Sequence, residues 1–291
     1  MGLRTHPNRR AVTSAACSGE AAPGNDRCQT LSSLVANDSP GGDAAAASRW
    51  GGAALLRPGV LAFTGSIGPT DVHAHHAVQI VTATTALTVL DEHGDRHRGT
   101  KVVVPADAPH RIEVGAQEGT VVFLEPESAP GHAAHSRAVR SGWTVSPVLT
   151  FTRRRALAAV VDELIAHLAP ATADNATGGR HPAIDDALRL LPDLVAAGPV
   201  SGTELAGLVG LSASRLTHLF TEQVGIPLRR YVLWSRLRAA ITRVQAGDDL
   251  TGAAHGAGFA DSAHLTRTTR EMFGLPPSVL SRHVSWDLDS G

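Results

Sequence analysis

Lysine is almost missing from this chain. Lys101 is the only one, so nearly all of the positive charge is arginine, and with so many alanines this implies a GC-rich coding sequence. Net charge is scarce too. Twenty-six basic residues against 27 acidic ones leave −1 over 291 residues, so no whole-chain basic excess marks a nucleic-acid binder, and any such footprint has to be local. Aromatics make up only 4%. Cysteine is limited to Cys17 and Cys28, both in a polar, small-residue stretch, which fits neither a disulfide framework nor a zinc site. No apolar run approaches the roughly 20 residues of a membrane span. The early arginines (Arg4, Arg9, Arg10) precede no apolar stretch, which argues against a secretory signal. A cytoplasmic protein with no membrane partner is the expectation. At 43% hydrophobic, the chain has ample material for a core, and its length suggests two domains.

The texture changes three times along the chain. Residues 1–52 are rich in Ala, Gly, Ser, Asn, Asp and Pro and read as a disordered segment, or as the product of an early assigned start codon. From Ala53 to Glu127, short β-rich runs (59–63, 78–81, 86–90, 101–104 and 119–124) alternate with Gly, Pro, Asp and His turns. That spacing predicts an antiparallel sandwich or barrel, with a hairpin tip at Asp91–Asp95, in a domain over 53–140. Over 147–180 the period becomes 3.6. Between Arg153 and Leu168 the residues Leu157, Val160, Val161, Leu164, Ile165 and Leu168 share one face, and a polar loop follows from Thr172. Self-association and docking on the strands are both open uses for such a face. From His181 to about 285 the chain reads as helical.

The most specific signal is an internal repeat of nearly fifty residues. Thr203-Glu-Leu-Ala206 with Gly210-Leu211 recurs as Thr251-Gly-Ala-Ala254 with Gly258-Phe259. Leu216, Gly225 and Pro227 recur as Leu265, Gly274 and Pro276. Each copy reads as helix, tight glycine turn, helix. The glycine can adopt the left-handed conformation that ends the first helix, and Ser212 and Asp261 stand where an N-cap oxygen is needed. This is the helix-turn-helix pattern. Between the copies, Tyr231, Trp234, Leu237, Ala240, Ile241 and Val244 form one stripe over Leu228–Ala246. A helix of about 20 residues is about 30 Å long, close to the roughly 34 Å turn of B-DNA. The connector could therefore set two recognition helices in neighbouring major grooves.

Residues 200–283 resemble the AraC/XylS family of bacterial transcription regulators. The resemblance rests on Leu205-Ala206, Gly210-Leu-Ser212, Leu216-x-x-Leu-Phe220, Gly225-Ile-Pro227, Tyr231, Arg236-Leu-Arg238-x-Ala240, Ala254-x-x-x-Gly258-Phe259, Leu265-Thr-Arg267, Phe273-Gly-Leu-Pro-Pro277 and Leu280-Ser-Arg282. Thr269 departs from it, standing where the family usually has a core aromatic. Gly252 and Gly256 each weaken their helix by up to about 1 kcal/mol relative to Ala. Helical geometry leaves Ser214, Thr217 and His218 exposed in the first unit, and Ser262, Ala263, Thr266 and Arg267 in the second. The resemblance implies that these same positions meet bases. Arg267 can bond guanine O6 and N7 together, a contact worth about 1–3 kcal/mol of discrimination; a phosphate or solvent-exposed role is its alternative. Arg236, Arg238 and Arg270 are the candidate phosphate contacts. Nine arginines against six carboxylates over 201–283 give only a modest local excess, so nonspecific affinity should be modest and salt-sensitive.

Two further segments, His73-Ala-His75-His76-x-x-Gln79 and Gly99-x5-Pro105-x4-His110, resemble the small antiparallel β-barrel of the cupin superfamily. Alternation puts His73 and His75 on one face of a strand, and His110 on a returning strand could complete a three-imidazole set for a divalent transition metal. The glutamate usual in metal-binding members of that superfamily is missing, and Gln79 and Ile80 occupy its neighbourhood. The expectation is accordingly no cofactor, with an effector pocket formed by His73, His75, Gln79 and His110 and a metal there as the alternative. The whole reads as an α+β chain: a cupin-like antiparallel barrel followed by an all-α domain with two helix-turn-helix units. It is expected to be a sequence-specific DNA-binding regulator and not an enzyme. Its partners would be double-stranded DNA and a small effector, and the family implies a homodimer and RNA polymerase contact as well. Two readings compete with it: a metal-dependent cupin enzyme with an accessory helical domain, and a helical interaction module without DNA contact.

Overall fold

A single long strand organises the first half of the molecule. In the computed structural model, which describes residues 49–144, 156–168, 180–279 and 284–287, β3 (Val78–Asp91) runs for 14 residues. The two runs expected over 78–81 and 86–90 are thus one strand. Its β-branched sequence suits a pleated, half-buried surface. A register shift against β4 (Arg96–Val104), between Thr82 and Leu87, absorbs the exposed Thr84, Thr85 and Ala86. Such a bulge bends a strand and strengthens its twist. One edge of β3 carries β4. The other carries β6 (Ala116–Leu124) over Val78–Ala83 and β5 (His110–Val114) over Thr88–Asp91.

The sheet continues through β2 (Val60–Ile67) and β1 (Gly51–Arg57) to β7 (Val284–Asp287), which returns from the far end of the chain to pair parallel with β1. The strand order β4-β3-β6-β2-β1-β7 begins and ends on different strands. The expected barrel is therefore, among the described residues, an open and bent sheet. The free edge of β1 is taken by β7 and not by β4, so the ladder does not close on itself.

Two helices cover one face of this sheet. α1 (Ala129–Ser141) starts at Ser128, whose hydroxyl accepts from the Gly131 amide, with Pro130 in the first turn. α2 (Leu157–Leu168) presents Leu157, Val161, Leu164 and Leu168 to a core shared with Leu55, Val60, Val78, Ile80, Val122 and Leu124. The apolar stripe read from sequence is thus used within the chain. The start of that helix at Arg153 and the loop from Thr172 lie outside the described residues, as does the segment 1–48.

The remaining helices form the two repeated units. α3 (Pro182–Ala197) packs on the first, made of α4 (Gly202–Leu208) and α5 (Ala213–Val224). α6 (Leu228–Gln245), 18 residues and so about 27 Å long, leads to α7 (Leu250–Gly256) and α8 (Ser262–Phe273). Gly210 (φ 71°) and Gly258 (φ 80°) make the left-handed turns. The Ser212 hydroxyl accepts from the Arg215 amide, and the Asp261 carboxylate accepts from the His264 amide. Thr269, in place of a core aromatic, is buried and donates to the Leu265 carbonyl. Leu61 and Ala77 of the strand region share a core with Trp234, Leu237, Phe259, Leu265 and Phe273. All described residues fall within one compact unit, Pro40–Gly291, and no described helix is long and apolar enough to cross a membrane.

Candidate functional site

The second helix of each unit presents an equivalent row of side chains. On α5, Leu216, Leu219 and Phe220 are buried, which leaves Ser214, Thr217 and His218 exposed. On α8, Leu265, Thr268 and Thr269 are buried, Ala263 and Arg267 are exposed, and Ser262 and Thr266 are half-buried. Counting from the caps, Thr217 matches Thr266 and His218 matches Arg267. Both threonine hydroxyls donate to the carbonyl four residues back, Thr217 to Ala213 at 2.9 Å and Thr266 to Ser262 at 2.8 Å. Each hydroxyl proton is therefore spent on the helix's own backbone, which leaves the oxygen lone pairs and the methyl group for a partner. His218 lies 3.9 Å from Glu222. Among the described residues, Arg267 makes no ion pair, so its guanidinium is available.

The three candidate phosphate contacts fare differently. Arg270 is exposed on α8. Arg236 is half-buried, its Nε buried without a hydrogen-bond partner among the described residues, next to the Gly258 turn. Arg238 is engaged inside the molecule. It pairs with Glu125 at the end of β6 and donates to the Arg57 carbonyl, and burial lowers its pKa. It ties α6 to the sheet and is withdrawn from the exposed surface.

The C-terminal end of α8 is also tied to the strand region. Asp71 donates its amide to the Gly274 carbonyl and Ala74 donates to the Glu271 carbonyl, both at 3.2 Å. Gly274 (φ 65°) caps α8 in the left-handed conformation, and a Cβ there would sit 2.5 Å from the Asp71 carbonyl oxygen. The segment docked on this turn is the one that carries the histidines.

His73, His75 and His110 are all buried, and one ring nitrogen from each lies within 4.8 Å of the others. Sequence reading brought the right residues together by a different route. His73 and His75 lie on the β2–β3 connection, and His73 reaches His110 through an isolated bridge, not along a strand face. Each Nδ1 faces a backbone carbonyl: His73 that of Asp71 at 2.9 Å, His75 that of Ala77 at 3.0 Å, and His110 that of Ala108 at 2.9 Å. A carbonyl only accepts, so each Nδ1 carries the proton. Burial lowers the pKa of all three rings, His73 to about 3, so they are neutral and each Nε2 is left as a lone pair. The Gln79 side-chain amide sits between two of them, 2.9 Å from His75 Nε2 and 3.0 Å from His110 Nε2. The amide atom placed at these distances is Oε1; an oxygen cannot bond a lone pair, so with the protons on Nδ1 the amide has to present its NH2 there instead. A carboxylate at this position could not.

Sequence reading passed over His76. It is buried between Asp107, 2.8 Å from Nδ1, and Glu127, 2.7 Å from Nε2, with the Tyr231 ring of α6 packed on it. Burial works against its charge, and the hydrogen bonds to Asp107 and Glu127 overcome that, raising its pKa to about 9. Both acids come from loops 31 and 51 residues away, which no local pattern announces.

Comparison with known proteins fits this geometry. Residues 205–283 match the family model of a helix-turn-helix domain. No curated protein matches the chain. Among solved structures, an AraC-type transcriptional regulator from Chromobacterium violaceum is similar over 38% of this chain and 96% of its own, at 25% identity and a TM-score of 0.33. ToxT from Vibrio cholerae is similar over 75% of this chain and 96% of its own, at 9% identity and a TM-score of 0.45. ToxT from strain SCE256, solved with an unsaturated fatty acid bound, is similar over 80% and 97%, at 9% identity and a TM-score of 0.44. The matched segment spans both repeated units, and the chain carries a helix-turn-helix domain over residues 205–283.

Proposed function

We propose that this protein is a sequence-specific transcription regulator whose strand-rich half binds a small effector and biases the DNA-reading half. One observation carries this reading. The second helices of the two units expose equivalent rows of side chains, while the end of the later one is hydrogen-bonded to the segment that bears His73 and His75. A change at the histidine pocket therefore has a physical route to α8. The enzyme reading needs an open metal position, and the neutral Gln79–histidine network is already satisfied internally, which favours a pocket floor over a metal centre.

The test is DNA binding by the full chain on a site selected from random sequence. Thr266→Ala combined with Arg267→Ala should cost specific affinity about 1–3 kcal/mol while changing nonspecific affinity little. Unchanged specific affinity would mean that the reading face lies elsewhere.

A further inference from the structure

An apolar cavity lies beside the histidine floor. Its sheet side includes Phe63, Ile112 and Phe123, and its other side is closed by Ile241 of α6 together with Phe273 and Leu275 at the end of α8. The polar groups in its wall are those of Trp50, Thr70, His73 and Gln79, and among the described residues no Lys, Arg, Asp or Glu lines it. Trp50 donates to the Pro69 carbonyl, Gln79 bridges His75 and His110, and the Thr70 hydroxyl accepts from the Ile112 amide while keeping its own proton to donate. His73 keeps its proton on Nδ1 against the Asp71 carbonyl, and among the described residues its Nε2 has no hydrogen-bond partner. Among the described residues the wall therefore offers greasy surface, one lone pair, one hydroxyl proton and no charge.

We propose that this cavity takes an uncharged apolar alcohol or phenol whose hydroxyl donates to His73 Nε2, and that its entry displaces the end of the second recognition helix. This rests on the reading of the protein as an effector-responsive regulator and names the effector's chemistry. A carboxylate is disfavoured twice, having no proton to donate to the lone pair and no cation to meet its charge. An ammonium group would be desolvated with no anion to pair with.

The second half of the proposal follows from size. The cavity volume is about 50 Å³. An apolar cavity needs about 150 Å³ to hold benzene, so a ligand has to push a wall outward. The sheet wall is held by continuous ladders between β2, β6 and β3. The helical wall is held by side-chain packing and by the two hydrogen bonds to Gly274 and Glu271, so that wall yields. Phe273 is the last residue of α8, and its movement is a movement of the reading helix.

The experiment compares 1-octanol, octanoate and octylamine at neutral pH on the full-length protein. Fluorescence of Trp50, in the cavity wall, and of Trp234, against Phe273, reports binding, and DNA affinity is measured on the selected site. Octanol should bind saturably and shift DNA affinity, while octanoate and octylamine bind more than about tenfold more weakly, since each buries an unpaired charge. Leu275→Trp, which fills the mouth, should abolish the octanol response with its thermal unfolding still cooperative. Should that variant unfold, the three-ligand comparison on the unaltered protein still decides. Octanoate binding as tightly as octanol overturns the proposal, and so does octanol binding that leaves DNA affinity unmoved. If none of the three binds but the specific DNA complex forms, the ligand class is wrong and the regulator reading stands. Failure to form any specific complex removes that reading itself.

Discussion

A threonine on a recognition helix has a hydroxyl and a methyl to offer a base pair, and in Thr217 and Thr266 the hydroxyl is engaged by the helix's own backbone. With that proton spent, the methyl is the apolar group on offer, and its natural counterpart in the major groove is the C5-methyl of thymine. Burying one methyl is worth about 0.8 kcal/mol, so replacing the contacted thymine of either half-site by deoxyuridine should weaken binding about fourfold. Thr217→Ser should remove that sensitivity in one half-site and Thr266→Ser in the other, with the valine variants retaining it. Indifference of the selected site to every thymine-to-deoxyuridine change would refute the contact. Gln79 invites a second single-residue test. Gln79→Glu replaces a donor to two lone pairs by a carboxylate, and the set then wants a cation. The variant should bind Co(II) at least about tenfold more tightly than the parent, followed by visible absorption. Equal, tight binding by the parent would instead favour the metal reading of His73, His75 and His110.

At the level of the element, what the sequence announced was local. Ser212 and Asp261 are caps because their oxygens reach an amide three residues ahead, and Gly210 and Gly258 turn because a left-handed residue is needed there. Such signals fit in a window of a few residues. β1, β5 and β7 escaped because their own residues say little: β1 opens on the small residues Gly51-Gly-Ala-Ala54, β5 is only five residues long, and β7 pairs with a strand some 230 residues earlier, as the Ser285–Gly52 contact records. The histidine floor was half legible, since the residue types gave the cluster away while its scaffold of backbone carbonyls did not. Glycines in the first helix of each unit permit a paired test. A Cβ on Gly207 of α4 meets open space, so Gly207→Ala should gain about 0.5–1 kcal/mol. A Cβ on Gly256 of α7 would sit 2.1 Å from Arg243 Nε, forcing that side chain off Asp248. The ion pair is largely exposed and worth little, yet the displacement should erase most of the gain. Urea titration of the two variants checks the contrast, and equal gains would show that Arg243 moves without cost.

Over the whole molecule, the contact between the strand-rich and helical parts was the least legible feature, because its residues look ordinary in sequence. Nothing in sequence marks Leu61 and Ala77 as contacts of the helical part, and Arg238 reads as a phosphate contact. Only the fold reveals them as the seam. His76 lies along the same seam, and its titration makes the seam measurable. The groups that face it are Asp107 and Glu127 from the strand region, Tyr231 from α6 and the more distant His135 of α1. Its folded pKa of about 9 exceeds the ordinary 6.5, so the folded state holds a proton that the unfolded chain has lost anywhere between those values. Stability from this group is therefore complete below about pH 6.5 and drains away as the pH rises through 9. The loss should be on the order of 2–3 kcal/mol. Deprotonation leaves two carboxylates facing each other across a neutral ring, and Asp107 Oδ1 and Glu127 Oε2 have no other hydrogen-bond partner among the described residues to relieve them. Denaturant midpoints measured from pH 6.5 to 9 should fall for the parent and stay level for His76→Gln. A parent whose midpoint does not move over that range would show that the imidazolium is not what holds Asp107 and Glu127 beneath α6.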